Sequence, residues 1–257
     1  LNTGRPTTVS LRPDSEEGFE ALSDVSALVV QGARLLRCEQ YRIRWAFAAP
    51  ASITGGPYRT GDCAMVASES GDVYAIGIED GKPRWHKALD QRLVPPFAGV
   101  GGMFVAGSME GRLVALDAEG NLLWQADVGD RLIATPVAMD GKMAVASADK
   151  TVRLIGIRSG LELCRKEMHA HLVDLCATGG GKGLLLACAD REGTVRFLSA
   201  EDLSVAREVR LGTRLTPWLV SSPEFPRRLA AGGTLIEEGP SVLVLDERGF
   251  LYVLPVP

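Results

Sequence analysis

Basic side chains recur along this chain at intervals of about 40 residues. Arg92, Arg131, His171 and Arg214 each stand directly before a short apolar stretch, and Ser52 holds the same place one interval earlier. Repetition at a fixed interval puts equivalent residues at equivalent places of a repeat fold, so these five residues are predicted to form a ring. Guanidinium groups bind carboxylates and phosphates through paired hydrogen bonds. The ring residues therefore predict a binding site for a small anion or an acidic peptide segment.

A purely structural role for the ring is the alternative interpretation. Asp90 and Asp130 closely precede Arg92 and Arg131, and further acidic residues recur in nearby turns. Each arginine could therefore be neutralised by a neighbour. Exposed ion pairs of this kind contribute only about 0–1 kcal/mol each. At the level of sequence both interpretations stay open.

Patterns for catalysis and for metal binding are sparse. His169 and His171 are separated by one residue, a spacing that could suggest a metal site. No third ligand follows at a recognisable spacing, so we predict no metal site. The sequence GGGKG at 179–183 lacks the Ser or Thr and the helix of a phosphate-binding loop, and predicts a hairpin turn. We predict no cofactor, and we leave enzyme activity open while leaning against it.

The elements that must position the ring follow the same period. Trp45, Trp85 and Trp124 are about 40 residues apart, and Cys164 and Arg207 continue the series. A second motif, a turn followed by alternating apolar and polar residues, indicates half-buried strands. Its turns are anchored at Gly32, Gly71, Gly111, Lys150, Gly193 and Gly249. Short strands repeated at this length are typical of a β-propeller, in which the ring residues would start the innermost strands at one mouth of the channel.

We predict an all-β protein: a β-propeller of six four-stranded blades that forms a single domain over residues 1–257. The last turn motif leaves no residues for an outer strand, so TTVSL at 7–11 is predicted to pair with the final strand and close the last blade. Seven blades stay open if the long interval between Gly193 and Gly249 hides a degenerate blade. The domain could also be a module excised from a larger protein.

Two stretches carry a resemblance to a known family. EGRLVALDAEGNLLWQADVGDRLIATPVAMDG (110–141) and SGDVYAIGIEDGKPRWHKALDQRLVPPF (70–97) resemble the repeats of the PQQ-like β-propellers. The stretch 169–203 resembles a WD-repeat, but Leu198 stands where that family has Trp. The resemblance implies that the repeated Trp docks between adjacent blades. Quinoprotein dehydrogenases of this group hold their cofactor with a vicinal Cys pair, which this chain lacks, so the resemblance does not imply bound PQQ.

Charge and composition limit the partners. The formal net charge is −4 and the isoelectric point is near 5.5, which argues against nucleic-acid binding. No apolar stretch reaches the roughly 18 residues that a membrane-spanning helix needs. Five scattered cysteines indicate free thiols in a reducing compartment, and the first residues lack the pattern of a signal peptide. We therefore expect a cytoplasmic protein.

Three functions follow in order of preference. The first is a non-catalytic protein–protein interaction scaffold whose partner presents an acidic segment to the ring. The second is an enzyme-associated propeller that binds an anionic small molecule or cofactor at the channel mouth. The third is a scaffold for cell-envelope assembly. The connection 221–240, which we predict to be a long loop, is a further candidate surface, and the oligomeric state is not predicted.

Overall fold

A computed structural model describes residues 19–23, 26–40, 42–100, 102–180, 183–229 and 235–256. Within these ranges all regular structure is β-strand. No helix there is long and apolar enough to cross a membrane. The chain divides into two compact units. The first contains the described residues up to Met109 together with Leu113–Gln125, and the second contains Glu110–Arg112 and the described residues from Ala126 onward.

The first unit holds three antiparallel sheets of four strands, apart from Arg112 and the last two residues of β12. In each sheet the strands follow one another in chain order. The strands are β1 (Phe19–Ser23), β2 (Ser26–Gln31), β3 (Arg34–Glu39), β4 (Arg42–Ala48), β5 (Ile53–Thr60), β6 (Cys63–Ser68), β7 (Asp72–Gly77), β8 (Pro83–Ala88), β9 (Leu93–Val100), β10 (Met103–Ser108), β11 (Arg112–Leu116) and β12 (Leu122–Asp127).

The second unit holds two sheets of four strands and one of three, again antiparallel and in chain order. The strands are β13 (Val137–Met139), β14 (Lys142–Ser147), β15 (Thr151–Gly156), β16 (Glu162–Glu167), β17 (Leu172–Gly180), β18 (Gly183–Asp190), β19 (Thr194–Ser199), β20 (Val205–Arg210), β21 (Leu215–Leu229), β22 (Leu235–Asp246) and β23 (Leu251–Pro255).

Burial follows the position of a strand within its sheet. Every residue of β10 and of β15 is buried, because both are inner strands that are covered on two faces. The fourth strands β8, β16 and β20 alternate between exposed and half-buried residues, as expected of strands with one face toward solvent. Apolar side chains of neighbouring sheets form the core between them, around Leu28 and Ile76 in the first unit and around Phe197 and Val244 in the second.

The six turns that anchor the repeat share one backbone conformation. Gly32, Gly71, Gly111, Gly193 and Gly249 have positive φ, and Lys150 adopts it too, with φ of 68°. The Lys150 N–H bonds the Ser147 carbonyl at 3.1 Å, as the Gly71 N–H bonds the Ser68 carbonyl at 3.0 Å. The fourth turn therefore keeps the shape of the others without glycine.

Two local predictions have different outcomes. GGGKG at 179–183 joins β17 to β18, and the pairing of Gly180 with Gly183 confirms the predicted hairpin. The predicted loop at 221–240 is wrong: β21 continues to Leu229 and β22 begins at Leu235, so a long β-hairpin occupies the region. The segment 7–11 that was predicted to close the last blade lies outside the described residues. The number of blades stays a prediction.

Candidate functional site

Each ring residue stands where its sheet begins. Ser52, Arg92, His171 and Arg214 directly precede the first residues of β5, β9, β17 and β21. Arg131 precedes Leu132, which forms an isolated bridge with Ser147, while β13 itself starts later, at Val137. The two histidines lie in the connection between β16 and β17.

One hydrogen bond holds the backbone of every ring residue. The carbonyl oxygen of each accepts the N–H of the residue that follows the second strand of the same sheet, at 2.9–3.1 Å. The donors to Ser52, Arg92, Arg131, His171 and Arg214 are, in that order, Glu69, Met109, Ala148, Arg191 and Glu247. Because the carbonyl is fixed in the same way each time, all five residues occupy equivalent places in their sheets.

Turn glycines hold the same chain segment from the other side. A Cβ at Gly71 would collide with the backbone of Gln91, the residue before Arg92. Gly193 has the same relation to Thr213, the residue before Arg214. These turns therefore need glycine for close approach as well as for positive φ.

In the first unit, the repeated Trp position connects each of the first two sheets to the sheet that follows it. The indole N–H of Trp45 donates to the carbonyl of Ile78 at 2.8 Å, and that of Trp85 donates to the carbonyl of Ala118 at 2.7 Å. Trp124 is buried, with 7% of its surface exposed, whereas Trp45 and Trp85 are half-buried. The docking role that the family resemblance implies is confirmed for Trp45 and Trp85.

In the second unit, smaller residues make the hydrogen bond to the next sheet. The Cys164 thiol donates to the carbonyl of Asp202 at 3.3 Å. Arg207 donates to the carbonyl of Pro255 at 2.8 Å. The bond to a backbone carbonyl of the next sheet is therefore retained although the indole is lost.

A cavity of about 870 Å³ in the second unit brings two ring residues together. Arg131 and Arg214 line it, and Arg191 contributes a third guanidinium that the sequence analysis missed. The rest of its lining is apolar, hydroxyl or acidic: Ile133, Leu172, Val173, Glu192, Gly212, Thr213, Leu215, Thr216 and Glu247. His171 adjoins the lining residue Leu172 but does not line the cavity itself. Ser52 and Arg92 belong to the first unit.

The signal for Arg191 was present in the sequence. Arg191 and Glu247 directly follow the buried carboxylates Asp190 and Asp246 at the ends of β18 and β22. Their N–H groups bond the carbonyls of His171 and Arg214, so this register lies beside the register of the predicted ring residues. An alignment of the repeats on their turns would have placed both residues at the site.

The acidic neighbours do not neutralise the three arginines of the cavity. The carboxylate of Asp130 accepts the backbone N–H of Arg131 at 2.7 Å. Asp149 bonds the guanidinium of Arg153 at 2.7 Å, and Asp190 bonds that of Arg196 at 2.8 Å. Within the described part of the chain, no ion pair engages the side chains of Arg131, Arg191 or Arg214, and all three are exposed.

The second unit also contains two buried arginines, Arg153 and Arg196, which have a structural role. Arg153 bonds Asp149, Glu162 and the carbonyl of Val128. Burial by itself would raise the pKa of Asp149, but hydrogen bonds from Arg153 and Thr151 bring the pKa below its ordinary value. Guanidinium groups that are buried and held by carboxylates in this way stabilise the fold.

Nucleophilic chemistry at the thiols of Cys176 and Cys188 is disfavoured. Burial raises the pKa of Cys176 and of Cys188 to about 12, so both remain protonated near neutral pH. Asp174 on β17 accepts the N–H of Leu175 at 2.8 Å and that of Leu219 at 3.0 Å, and burial raises its pKa. Across the described ranges, no group of His, Cys, Asp and Glu has the arrangement of a metal site.

Comparison with known proteins supports the repeat and the fold. Residues 92–181 match a family described as PQQ_2, outer membrane protein assembly factor BamB. The outer membrane protein assembly factor BamB of Burkholderia pseudomallei is 25% identical over 104 residues, which cover 40% of this chain and 27% of that protein. The match thus spans about a quarter of the relative's length.

Solved structures extend the likeness to nearly the whole chain. The crystal structure of BamB from Moraxella catarrhalis has a TM-score of 0.54 at 14% identity and covers 97% of this chain and 99% of that one. The computationally designed protein Ika8 has a TM-score of 0.73 at 13% identity and covers 93% of this chain and 70% of that one. The predicted all-β propeller fold is confirmed, and so is the PQQ-like character of the repeats.

Proposed function

Starting from PQQ-like repeats on a β-propeller fold, we propose that this protein is a non-catalytic scaffold that binds another protein. The match of residues 92–181 to the BamB family carries the proposal, and the likeness in fold along almost the entire chain is consistent with it. The cavity of the second unit supports it, because its arginines are exposed and unengaged among the described residues. Repeat folds of this kind present extended surfaces to partners, and their loops vary without loss of the core.

The process that we propose is the assembly of outer-membrane proteins. The relative from Burkholderia pseudomallei is named outer membrane protein assembly factor BamB, and the family that matches residues 92–181 has the same description. Envelope assembly, the third preference of the sequence analysis, therefore becomes the favoured setting for the scaffold. The description of the matching family and relative supports this proposal, and an experiment in the native host must test it.

Deletion of the gene in its native host tests the process. We expect lower amounts of folded outer-membrane proteins, with recovery when the full-length protein is supplied from a plasmid. The measurement is quantitative mass spectrometry of purified outer membranes. Unchanged amounts in the deletion strain would contradict a role in envelope assembly and leave the interaction scaffold to be tested by binding.

The compartment is a separate proposal. All five cysteines are free, with Cys188 buried and the others half-buried, which supports the cytoplasmic placement. A role beside the outer membrane supports the envelope instead. Fractionation of cells that express the complete reading frame, followed by immunoblotting against markers of each compartment, decides between them.

A second candidate function is the binding of an anionic small molecule by an enzyme-associated propeller. The observation that favours it is the size of the cavity, about 870 Å³, which lies within the roughly 300–1,000 Å³ usual for small-molecule sites. Binding of small carboxylates to the purified protein, measured by calorimetry, tests it.

A further inference from the structure

The cavity of the second unit combines three kinds of lining. Arg131, Arg191 and Arg214 supply hydrogen-bond donors and positive charge. Glu192 and Glu247 supply acceptors and negative charge on the same lining. Apolar side chains complete the wall: Ile133, Leu172, Val173 and Leu215. An occupant that satisfies all three must itself combine carboxylates, donors and apolar groups.

The two threonines of the lining further restrict the chemistry of a molecule that could occupy the cavity. The Thr213 hydroxyl donates to Asp246 at 3.1 Å, and the Thr216 hydroxyl donates to the carbonyl of Leu245 at 3.0 Å. Because their protons are committed, both hydroxyls can only accept hydrogen bonds from an occupant. The guanidinium groups are thus the donors toward the cavity, and the hydroxyls and glutamates are acceptors suited to peptide N–H groups.

The charge balance argues against a polyanion. Three arginines and two glutamates leave the lining with little net positive charge. Nucleic acids bind through many phosphate contacts to a strongly basic surface, which the cavity does not offer. The glutamates would repel a phosphate backbone but accept the N–H groups of a peptide.

Exposure of the arginines argues against a small anion. Arg131, Arg191 and Arg214 are all exposed, so water screens each of them and a single carboxylate gains little from any one contact. Sites for small ligands hold their polar groups in a desolvated pocket. Several weak contacts add up only when one chain carries several matching groups.

We propose that this cavity binds an extended peptide segment of the partner protein in which acidic residues alternate with apolar ones. The proposal rests on the proposed scaffold function and names the site and the chemistry of its partner. Carboxylates of the segment pair with the arginines, its N–H groups donate to Thr213, Thr216 and the glutamates, and its apolar side chains cover Ile133 and Val173.

The test uses the full-length protein and a fluorescein-labelled octapeptide that alternates glutamate with valine or leucine. Fluorescence anisotropy measures its binding to the parent protein, to R131Q/R214Q, to R191Q and to R158Q. Arg158 is the matched control because it is an exposed arginine of the same unit, outside the cavity. We expect the double variant to bind about five- to tenfold more weakly and R158Q to bind like the parent. R191Q is expected to weaken binding by a smaller factor.

Two comparator ligands test which chemical groups the cavity recognises. The same octapeptide with glutamine in place of glutamate should bind more weakly, and its binding should respond less to salt between about 50 and about 500 mM. Glutarate should displace the acidic octapeptide only at far higher concentration than the unlabelled octapeptide does. Displacement at equal concentration would assign the cavity to small carboxylates and overturn the proposal.

Other outcomes also overturn it. These are no binding to the parent protein at millimolar peptide, equal binding by R131Q/R214Q, or equal binding of the glutamine octapeptide. The arginines are exposed, so unchanged melting curves are expected for every variant and exclude misfolding. If R131Q/R214Q still restores outer-membrane proteins in the deletion strain, the scaffold function stands and its surface lies elsewhere.

Discussion

Burial separates the arginines of this protein into two kinds. Arg131, Arg191 and Arg214 are exposed at the cavity, whereas Arg153 and Arg196 are buried and surrounded by carboxylates. Removing one partner of a buried ion pair leaves the other charge uncompensated, which costs far more than the loss of an exposed pair. Sequence alone does not distinguish the two kinds, because the same acidic residue, Asp190, precedes both the exposed Arg191 and the buried Arg196.

Arg196→Met is predicted to lower the free energy of unfolding by about 3–5 kcal/mol. Its side chain is 9% exposed, and it bonds both Asp190, which is 1% exposed, and Glu208 at 2.8 Å. Arg210→Met is the matched control, because Arg210 pairs with the same Glu208 at 2.9 Å but is 79% exposed. That change should cost no more than about 1 kcal/mol. Urea unfolding measures both, and equal losses would contradict the distinction.

Two aspartates should give opposite pH dependences. Hydrogen bonds from Ser70 and His86 lower the pKa of Asp72, so its contribution is complete above the ordinary value of 3.8 and is lost as the pH falls through the lowered pKa. Burial raises the pKa of Asp174, so its favourable contribution is lost as the pH rises from 3.8 through the raised pKa.

The measurement compares the parent protein with D72N and with D174N by urea unfolding between about pH 3 and about pH 5.5. The parent should lose stability relative to D72N as the pH falls. It should lose stability relative to D174N as the pH rises. Slopes of the same sign would contradict the environments that the structure gives these two carboxyl groups.

At the scale of elements, one set of contacts is repeated from sheet to sheet. A fixed carbonyl bond holds each of the five predicted ring residues, and within each unit a donor at the Trp position reaches a backbone carbonyl of the next sheet. The same places accept Trp, Cys or Arg because the acceptor is backbone and does not depend on sequence.

The loss of unfolding free energy on replacing each Trp is predicted to follow the burial of its side chain. Trp124→Ala should cost about 3–5 kcal/mol, because its side chain is buried. Trp85→Ala should cost less, since the ring is half-buried. Trp85→Phe should cost about 1 kcal/mol, the value of the lost hydrogen bond to Ala118. Urea unfolding of the three variants gives the order, and a Trp85→Phe loss as large as that of Trp124→Ala would contradict it.

The hairpin of β21 and β22 shows why one element was mispredicted. The long interval between the turn motifs predicted a loop, and Pro223 and Pro226 lie within it although proline cannot donate to a strand ladder. In the structure the pairing of β21 is irregular on both sides of Pro223, between Ser222 and Phe225, and again after Pro226. Bulges of this kind accommodate proline within a paired strand.

At the scale of the whole molecule, the last sheet differs from the other five. It has three strands among the described residues, ending with β23, and Leu251 on that strand is largely exposed. A strand that is paired on one side only and has exposed apolar residues is an unfavourable edge. The sheet is therefore suited to accept a fourth strand next to β23.

Removal of residues 1–12 is predicted to lower the melting temperature, because it would delete the segment 7–11 that we expect to pair with β23. Calorimetry of the truncated and full-length proteins measures the effect. Replacement of residues 7–11 by a Gly-Ser sequence of equal length separates strand pairing from chain length. If both variants melt like the parent, the predicted closure is wrong.

The sequence by itself determined the repeat and its local structure. Strand alternation, turn glycines and the Trp series are encoded within one repeat, so the spacing of residues was enough to predict the all-β propeller and the equivalent places of Ser52, Arg92, Arg131, His171 and Arg214. Single-domain organisation and six blades stay predictions from that same reasoning.

Only the tertiary structure decided which of these residues lie together. Arg131 and Arg214 line one cavity with Arg191, and Asp130, Asp149 and Asp190 are engaged elsewhere. Sequence spacing fixes where a side chain starts, but its partners depend on which carboxylates the neighbouring elements bury and satisfy. The same arginine is a structural ion pair when buried and an available donor when exposed, and packing makes that difference.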